Sequence, residues 1–483
     1  MKKGVCLILL MLMGVLIGGC DGGKDSIPLT VPANFLISES ILSWDEDERT
    51  SKYRIYIVAE NEELEQASRI NVTNGMNLSV LLLEPGTYQI HLQALGDGIQ
   101  YSDSSLTEAL TYVQIDPYQV SSLEGEYMID KMYLNWFGRT RFNETNQANY
   151  FYFTASGFEV TFYGTELTAE FVATNFADAS KQPHLTVFID GNDNPNIAPV
   201  LILNAAKKEY TIASGLSEGL HTVKVLKRSE SIDSATALTK ITTDGRFVAG
   251  LNTRPRKIEV IAASSSCGFG NLAENTNVAK TTANSDGLRT YAYLAARMVD
   301  AEINIFSASG WPLVRGPWTG TNNIPGVYNK VDVYSPVNWN HSEYVPDLVI
   351  INLGTNDWSY INGLSGSAQT AAIQAFKDGY VAFITNIHSL HPNAKFLIIY
   401  GLMNETNVFQ PTLQAVTMAK AALPSVVIET MQLPGANTMD GIGSSSHPGI
   451  KTHIRAGALM AEKIAEMMGW DLAVANITLG EEG

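Results

Sequence analysis

The spacing of hydrophobic residues changes at Arg256, and this change limits the folds that the chain can adopt. After Arg256, short apolar stretches alternate with longer segments of helical periodicity. Such an alternation predicts a parallel sheet with helices on both faces. The predicted strands are 258–263, 302–306, 347–353, 395–400 and 425–429, and the predicted helices lie around 285–300, 368–389, 410–422 and 450–468.

The sequence before this change alternates apolar and polar residues with a period of two, which is typical of half-buried strands. Residues from about 27 to 116 and from about 118 to 252 therefore predict two all-β sandwiches, the second a jelly roll. The first sandwich resembles a fibronectin type III module, with Pro32 near its start, Trp44 on an early strand and the turn segment 83–88 before a late strand. Modules of this kind usually serve as spacers or docking modules.

Length and charge exclude some classes of protein. A chain of 483 residues is too long for a single core and predicts two to four domains. The formal net charge of -17 argues against a nucleic-acid-binding surface.

The N-terminus resembles a bacterial lipoprotein signal. Lys2 and Lys3 precede an apolar run over residues 5–17, and Gly18-Gly19-Cys20 follow this run. The resemblance implies that acyl chains on Cys20 anchor the protein in the membrane of a bacterial cell envelope, on the periplasmic side or at the cell surface. The alternative is an uncleaved membrane helix, which the shortness of the apolar run disfavours.

Cys267 is the only cysteine after Cys6 and Cys20, so the mature chain has no internal disulfide to form. Cys267 lies three residues after Ser264, a candidate nucleophile described below. A thiol nucleophile is therefore one interpretation of Cys267. A buried packing residue is the preferred one.

Residues suited to acyl transfer follow the ends of three predicted strands. Ser264 follows the first strand, Gly310 the second, and Gly354-Thr355-Asn356-Asp357 the third. The carboxyl ends of parallel strands meet at one edge of a sheet, so these residues should lie close together. Ser264 would supply the nucleophile, while Gly310 and Asn356 would donate to the oxyanion. A serine that caps a helix would fit the position of Ser264 equally well.

His447 precedes Pro448 and a predicted helix, a position that would place its imidazole over the strand ends. It is the natural general base for Ser264. His453, further along the same helix, is expected to be a packing or surface residue. Asp357 is expected to brace its loop by accepting backbone N–H groups.

These blocks, in this order, resemble the SGNH (GDSL-like) hydrolases. With a β-sandwich directly ahead of them, carbohydrate esterase family 2 is the most similar group, over residues from about 120 to 470. The resemblance implies an α/β three-layer SGNH hydrolase domain with Ser264 as nucleophile and His447 as base. It also implies an oxyanion hole made by the N–H groups of Ser264 and Gly310 and the Asn356 side chain. Trp311 and Trp358 would then be aromatic walls for acetyl or sugar, or core residues.

The chain departs from the family pattern at two places. Ala262-Ala263 replaces the usual Gly-Asp before the serine, and Ser444 stands where an acid usually lies three residues before the histidine. Family 2 esterases resemble this chain in the second departure, since a main-chain carbonyl rather than an acid orients their histidine. Asp440 and Glu429 are the alternative third members.

The resemblance therefore implies a carbohydrate O-acetylesterase that acts on acetylated polysaccharides or oligosaccharides such as xylan, without cofactor or metal ion. The Gly268-x-Gly270-x-x-Ala273 pattern lacks the acid that a dinucleotide site requires. A catalytically impaired glycan-binding surface lipoprotein is the second hypothesis. The predicted segments are a signal peptide (1–19), a tether (20–28), a fibronectin type III-like domain (29–117), a jelly-roll domain (118–253), an SGNH hydrolase domain (254–473) and a tail (474–483).

Overall fold

The chain forms two compact units, Met1–Ile115 and Asp116–Gly483. The computed structural model describes residues 26–38, 40–50, 52–59, 62–73, 75–81, 86–114, 120–192, 194–249 and 255–473. The predicted leader with Cys6 and Cys20, the tail 474–483 and the junctions near residues 117 and 253 lie outside these ranges. The domain boundaries stay predictions.

The first unit is built from antiparallel sheets. A three-stranded sheet has the order β2-β3-β6, a four-stranded sheet has the order β5-β4-β7-β9, and β1 pairs with β8 in parallel. Tyr53, Ile55 and Ile57 alternate inward on β4, as the period-two pattern predicts. The strands are β1 (Ile27–Pro28), β2 (Leu36–Ser38), β3 (Ile41–Ser43), β4 (Tyr53–Ala59), β5 (Ser68–Val72), β6 (Met76–Asn77), β7 (Gly86–Ala94), β8 (Tyr101–Ser102) and β9 (Leu110–Gln114). The fibronectin type III assignment stays a prediction.

The second unit begins with a β-sandwich of two six-stranded sheets. One has the order β12-β13-β20-β15-β18 with β10 on β20, and the other has the order β11-β14-β19-β16-β17 with β21 on β14. The strands are β10 (Ser122–Glu124), β11 (Leu134–Phe137), β12 (Thr140–Asn143), β13 (Ala148–Phe151), β14 (Gly157–Gly164), β15 (Leu167–Ala173), β16 (His184–Ile189), β17 (Val200–Ile202), β18 (Lys207–Ala213), β19 (Gly219–Lys227), β20 (Thr236–Thr243) and β21 (Arg246–Val248).

Alternating residues from both sheets share one hydrophobic core. Phe158, Val160 and Phe162 on β14 meet Phe171 on β15 and Leu238 on β20 in this core. The alternation explains why the strand positions could be read from the sequence. The jelly-roll topology stays a prediction.

The remainder of the second unit is an α/β domain with a five-stranded parallel sheet in the order β23-β22-β24-β25-β26. Its strands are β22 (Lys257–Ala262), β23 (Glu302–Ser307), β24 (Leu348–Asn352), β25 (Lys395–Tyr400) and β26 (Ile428–Gln432). The α-helices are α1 (Tyr291–Met298), α2 (Ile324–Val327), α3 (Thr355–Ile361), α4 (Gly366–Leu390), α5 (Phe409–Ala422) and α6 (Ile450–Met468).

Helices cover both faces of this parallel sheet, as predicted. On the interior strand β22, Val260 and Ala262 share a core with α1 and α6, whereas Ile261 between them shares a core with α4 and α5. A strand buried on both faces reads as a continuous apolar run, which is how β22 and β24 appear in the sequence. The α/β part is therefore a three-layer structure.

Two predicted elements differ most from the structure in their bounds. The first predicted helix is shorter, because residues 287–289 form a 3₁₀ turn in which the Asp286 side chain accepts from the Leu288 backbone N–H. The last predicted strand begins at Ile428 rather than 425, because Val426 donates a turn hydrogen bond to the Leu423 carbonyl. The short helices α2 and α3 were not predicted.

One side chain of the sandwich enters the α/β domain. Arg139, between β11 and β12, is fully buried and pairs with Glu259 of β22 at 3.1 Å. Its guanidinium also donates to the Lys330 carbonyl at 2.7 Å and lies 4.0 Å from the centre of the Phe306 ring. The sandwich and the α/β domain are thus joined through a buried ion pair.

Over the described ranges, the structure contains no helix with the length and apolar character required to cross a membrane.

Candidate active site

The register of the parallel sheet brings the predicted residues together. Ala262 at the end of β22 is paired with Ser307 of β23 on one side and with Asn352 of β24 on the other. Ser264, two residues further along the chain, therefore leaves the sheet between the segments that follow β23 and β24. This is the point where the strand order reverses, which is where open α/β sheets form their binding crevice.

Ser264 and His447 lie within hydrogen-bonding distance of each other. His447 Nε2 is 2.7 Å from Ser264 Oγ, and His447 Nδ1 is 3.0 Å from the Ser444 carbonyl oxygen. A carbonyl accepts only, so Nδ1 carries the proton and leaves Nε2 free to accept the serine proton. The carbonyl of Ser444 thus occupies the place that an acid usually takes.

The two alternative third members lie elsewhere. Asp440 forms an ion pair with Arg455 and accepts a hydrogen bond from the Asn437 side-chain amide. Glu429 forms an ion pair with Lys463. The structure therefore brings neither carboxylate to His447.

The segment before His447 has an uncommon backbone. Ser445 and Ser446 both have positive φ angles, of 50° and 64°. Such angles cost free energy for residues other than glycine and persist only where neighbouring contacts impose them. Thr276 supplies these contacts: its carbonyl accepts from the Ser445 N–H at 3.0 Å, and its hydroxyl accepts from the Ser446 N–H at 2.8 Å.

The environment of His447 favours the neutral imidazole. The Phe269 ring stacks on it with centroids 4.3 Å apart. Burial lowers the pKa of His447 below its usual value, although the backbone carbonyls of Ser444 and Ser445 act in the opposite direction. A neutral imidazole at neutral pH is the form that accepts a proton.

Gly310 and Asn356, the oxyanion donors predicted from the sequence, follow the two strands that flank β22. Gly310 has a φ of +80°, which glycine adopts without strain. In the part of the chain that the structure describes, the N–H groups of Ser264 and Gly310 have no protein acceptor. Asn356 lies in the first turn of α3 rather than in a loop, and its Nδ2 donates to the Trp311 carbonyl at 2.9 Å. The second hydrogen of that amide is available to a ligand.

Asp357 braces a neighbouring segment rather than its own loop. Its carboxylate accepts the N–H groups of Leu313, Val314 and Arg315 at 2.7–3.1 Å. Burial raises the pKa of Asp357 to about 6, against the effect of these three bonds. The predicted type of contact is confirmed, and it fixes the segment after Gly310 to the helix that carries Asn356.

The second unit is similar to known carbohydrate esterases. Residues 136–249 match the family model for the carbohydrate esterase 2 N-terminal domain, and residues 242–456 match the GDSL-like lipase/acylhydrolase model. The chain is 27% identical over 326 residues to the cellulase/esterase CelE of Acetivibrio thermocellus, covering 66% of this chain and 37% of that protein. It is 25% identical over 347 residues to an acetylxylan esterase/glucomannan deacetylase of Cellvibrio japonicus, covering 69% of this chain and 88% of that protein.

The chain is an esterase. Among solved structures, the esterase resembles a family two carbohydrate esterase from Clostridium thermocellum in complex with cellohexaose, with a TM-score of 0.62 and 25% identity. That match covers 70% of this chain and 99% of the other. A carbohydrate esterase family 2 enzyme with a carbohydrate-binding domain from Corynascus thermopiles matches with a TM-score of 0.59 and 25% identity, over 70% of this chain and 100% of the other.

The two tryptophans proposed as walls of the esterase site are buried. Trp311 is 3% exposed and Trp358 is 4% exposed, and both belong to the hydrophobic core beside α4. Trp358 packs edge-on against Phe376. Their burial favours the interpretation as core residues that the sequence left open.

An exposed aromatic residue that was not predicted from the sequence lies beside Gly310. Trp318 is 64% exposed, and its side chain lies 3.7 Å from the position that a Cβ on Gly310 would occupy. The only local signal was its place in a glycine- and proline-rich loop, which does not separate a binding residue from a turn residue. Trp318 is a better candidate than Trp311 or Trp358 for contact with a sugar ring.

Cys267 and His453 of the esterase are structural. Burial raises the pKa of the Cys267 thiol well above its usual value, and its Sγ lies 3.1 Å from Ser307 Oγ. Burial lowers the pKa of His453 to about 3, and its Nδ1 accepts the Tyr291 backbone N–H. The packing interpretations of both residues are confirmed.

Proposed function

We propose that the esterase removes acetyl groups from polysaccharides such as xylan through a Ser-His acyl-enzyme mechanism. The observation that carries the proposal is the 2.7 Å contact between His447 Nε2 and Ser264 Oγ. Support for the substrate class comes from the names of the relatives, which include an acetylxylan esterase/glucomannan deacetylase.

In the first half-reaction, Ser264 Oγ attacks the acetyl carbonyl carbon while His447 Nε2 takes the hydroxyl proton. The carbonyl oxygen becomes an oxyanion that the N–H groups of Ser264 and Gly310 and the Asn356 amide stabilise. When the intermediate collapses, the bond to the sugar oxygen breaks, and the imidazolium returns its proton to that oxygen. The products are a free sugar hydroxyl and an acetyl ester on Ser264.

In the second half-reaction, water replaces the sugar. His447 Nε2 takes a proton from the water as its oxygen attacks the acetyl-enzyme, and Ser264 Oγ leaves with that proton. The Ser444 carbonyl keeps the imidazole in the required tautomer throughout. It stabilises the imidazolium less than a carboxylate would.

We further propose that Cys20 carries the lipid anchor of a cell-envelope protein, on the strength of its position after a short apolar leader. Growth with a radiolabelled fatty acid should label the protein, and Cys20→Ala should lose the label. If the Cys20→Ala protein carries as much label as the unaltered protein, Cys20 is not the lipid anchor. This result would leave the catalytic proposal unaffected.

The catalytic proposal is tested by acetate release from acetylated xylan. We expect the unaltered protein to release acetate, and Ser264→Ala to reduce the rate by at least a thousandfold, since removal of a nucleophile leaves only binding and oxyanion effects. His447→Gln should lose a similar factor. Binding of the glycan without acetate release by the unaltered protein would favour the glycan-binding hypothesis instead.

A further inference from the structure

A cluster of charged side chains is buried beside the active-site loops, and the mechanism above does not use it. Lys227, Glu230 and Asp233 come from the β-sandwich and are 0%, 2% and 6% exposed. Lys280 joins them from the segment between β22 and α1, and its side chain is 13% exposed. The cluster holds two cations and two carboxylates close together.

Glu230 connects this cluster to the residue that precedes Gly310. Its Oε2 accepts the Ser309 backbone N–H at 2.9 Å, and its Oε1 accepts the Ser309 hydroxyl at 2.8 Å. The carboxylate is itself held by Lys280 Nζ at 3.0 Å, and Lys227 Nζ donates to the main-chain carbonyl of Glu230 at 2.8 Å. Ser309 is therefore fixed at two atoms by a side chain whose own position is fixed.

The two hydrogen bonds between Glu230 and Ser309 affect the proposed oxyanion hole. The N–H of Gly310 belongs to the peptide that joins it to Ser309, so the position of Ser309 sets the position of that donor. Donors of an oxyanion hole act only within a narrow range of distance and direction. A shift of Ser309 would therefore lower the stabilisation of the transition state more than the binding of the substrate.

The Glu230 carboxylate also affects the pKa of His447, the proposed base. Lys280 Nζ lies 5.6 Å from the centre of the Phe269 ring, and that ring stacks on His447. Burial lowers the pKa of His447, and the negative charge of Glu230 raises it in part. Burial raises the pKa of Glu230, but the charge of Lys280 and the bonds from Ser309 outweigh burial, so Glu230 is ionised at neutral pH.

We propose that Glu230 is a positioning residue, contributed by the β-sandwich, that holds the Ser309–Gly310 peptide in its oxyanion-binding orientation. Stability alone is a weak reason for such a cluster, because a buried ion pair is often no more stabilising than apolar side chains of the same size. The inference rests on the proposed function, since it assumes that Gly310 donates to an oxyanion. It would give the β-sandwich a direct part in the active site of this esterase.

The test compares Glu230→Ala and Glu230→Gln with Asp233→Asn as the matched control. Asp233 pairs with the same Lys280 and is buried in the same cluster, but its carboxylate receives no hydrogen bond from Ser309. Each protein is titrated with a fluorophosphonate to count active sites, so that kcat refers to folded enzyme only. The substrate is a chromogenic acetate ester.

We expect Glu230→Ala to lower kcat by roughly ten- to a hundredfold, a part of the loss that removal of a whole donor causes, with KM changed by less than about threefold. Glu230→Gln keeps an acceptor for Ser309 and should recover most of kcat. Asp233→Asn should keep kcat within about threefold of the unaltered protein.

A pH profile gives a readout that a purely structural role would not move. The groups around His447 are the Phe269 ring, the Ser444 carbonyl and the buried His453. The titratable groups around Glu230 are Lys280, Lys227, Asp233 and Cys267. Removing the Glu230 charge removes an interaction that favours imidazolium, so the acid limb of kcat/KM should move to lower pH in Glu230→Gln. It should stay in place in Asp233→Asn.

The outcomes separate this inference from the proposed function. If the unaltered protein hydrolyses no ester, the proposed function itself is wrong. If it is active and Glu230→Ala has the kcat and acid limb of Asp233→Asn, Glu230 only stabilises the fold and the inference is overturned. Should Glu230→Ala fail to fold, an unmoved acid limb in Glu230→Gln overturns it as well.

Discussion

The Asn356 amide binds the Trp311 carbonyl and is also a proposed donor to the oxyanion. One hydrogen of its Nδ2 is bound to the Trp311 carbonyl, which fixes the rotamer and directs the other hydrogen away from that carbonyl. We expect Asn356→Ala to lower kcat by roughly a hundred- to a thousandfold, as loss of one oxyanion donor does elsewhere. Steady-state kinetics on a chromogenic acetate measure this loss.

Asn362 provides the control for that substitution. It caps the other end of the same helix, α3, and its side chain is exposed and lies 3.4 Å from Glu405. Asn362→Ala should leave kcat within about twofold. Equal losses in the two variants would mean that helix stability, not a donor, is being measured.

The positions of single residues were predictable from the sequence where the order of the strands decides them. Ser264, Gly310 and Asn356 follow successive parallel strands, and strand ends of one sheet must meet at one edge. Glu230 and Trp318 were not predictable, because their contacts with Ser309 and Gly310 depend on packing between distant segments. The burial of Trp311 and Trp358 also depends on such packing.

The segment over residues 270–280 and the segment before His447 form one supported pair of loops. The Ser444 N–H donates to the Gly270 carbonyl, and the Thr276 hydroxyl lies 3.0 Å from Ser446 Oγ. These contacts oppose the relaxation of Ser445 and Ser446 out of their positive φ angles. The first loop therefore helps to place His447, the proposed base, which follows Ser446 in the chain.

This pair of loops predicts a kinetic defect for Thr276→Val. Valine keeps the shape of the side chain but cannot accept the Ser446 N–H, so we expect kcat to fall about tenfold, the effect of a small misplacement of a catalytic group. Thr276→Ser keeps the hydroxyl and should stay within about twofold. If Thr276→Val has full activity, the strained segment is held by other contacts.

The main elements of the α/β domain were predictable, but its short ones were not. Each long strand or helix carries a clear period, such as the apolar run of β24. Helix α3 spans only residues 355–361, and α2 only four residues, so neither has room for a recognisable period. As a result, Asn356 was assigned to a loop although it lies in the first turn of α3.

Across the whole second unit, the fully buried Arg139 is one of the contacts that join the sandwich to the α/β domain. We expect Arg139→Met to reduce the free energy of unfolding by about 3–5 kcal/mol, because Glu259 would keep a buried charge without its cation. Urea unfolding of the full chain, followed by tryptophan fluorescence and by loss of esterase activity, measures the change.

A second variant separates charge from packing. Glu259→Gln added to Arg139→Met removes the uncompensated carboxylate and should recover part of the lost stability. If the double variant is as unstable as Arg139→Met, the contact of the guanidinium with Phe306 and the Lys330 carbonyl is the larger contribution.

The site and rate of fluorophosphonate labelling test the proposed Ser264–His447 mechanism most directly. Both are read by mass spectrometry of the digested protein. We predict a single adduct on Ser264, formed at least a hundredfold more slowly in His447→Gln, because the imidazole is 2.7 Å from the attacking oxygen. An adduct on another residue, or acetate release by a protein whose Ser264 stays unlabelled, would contradict it.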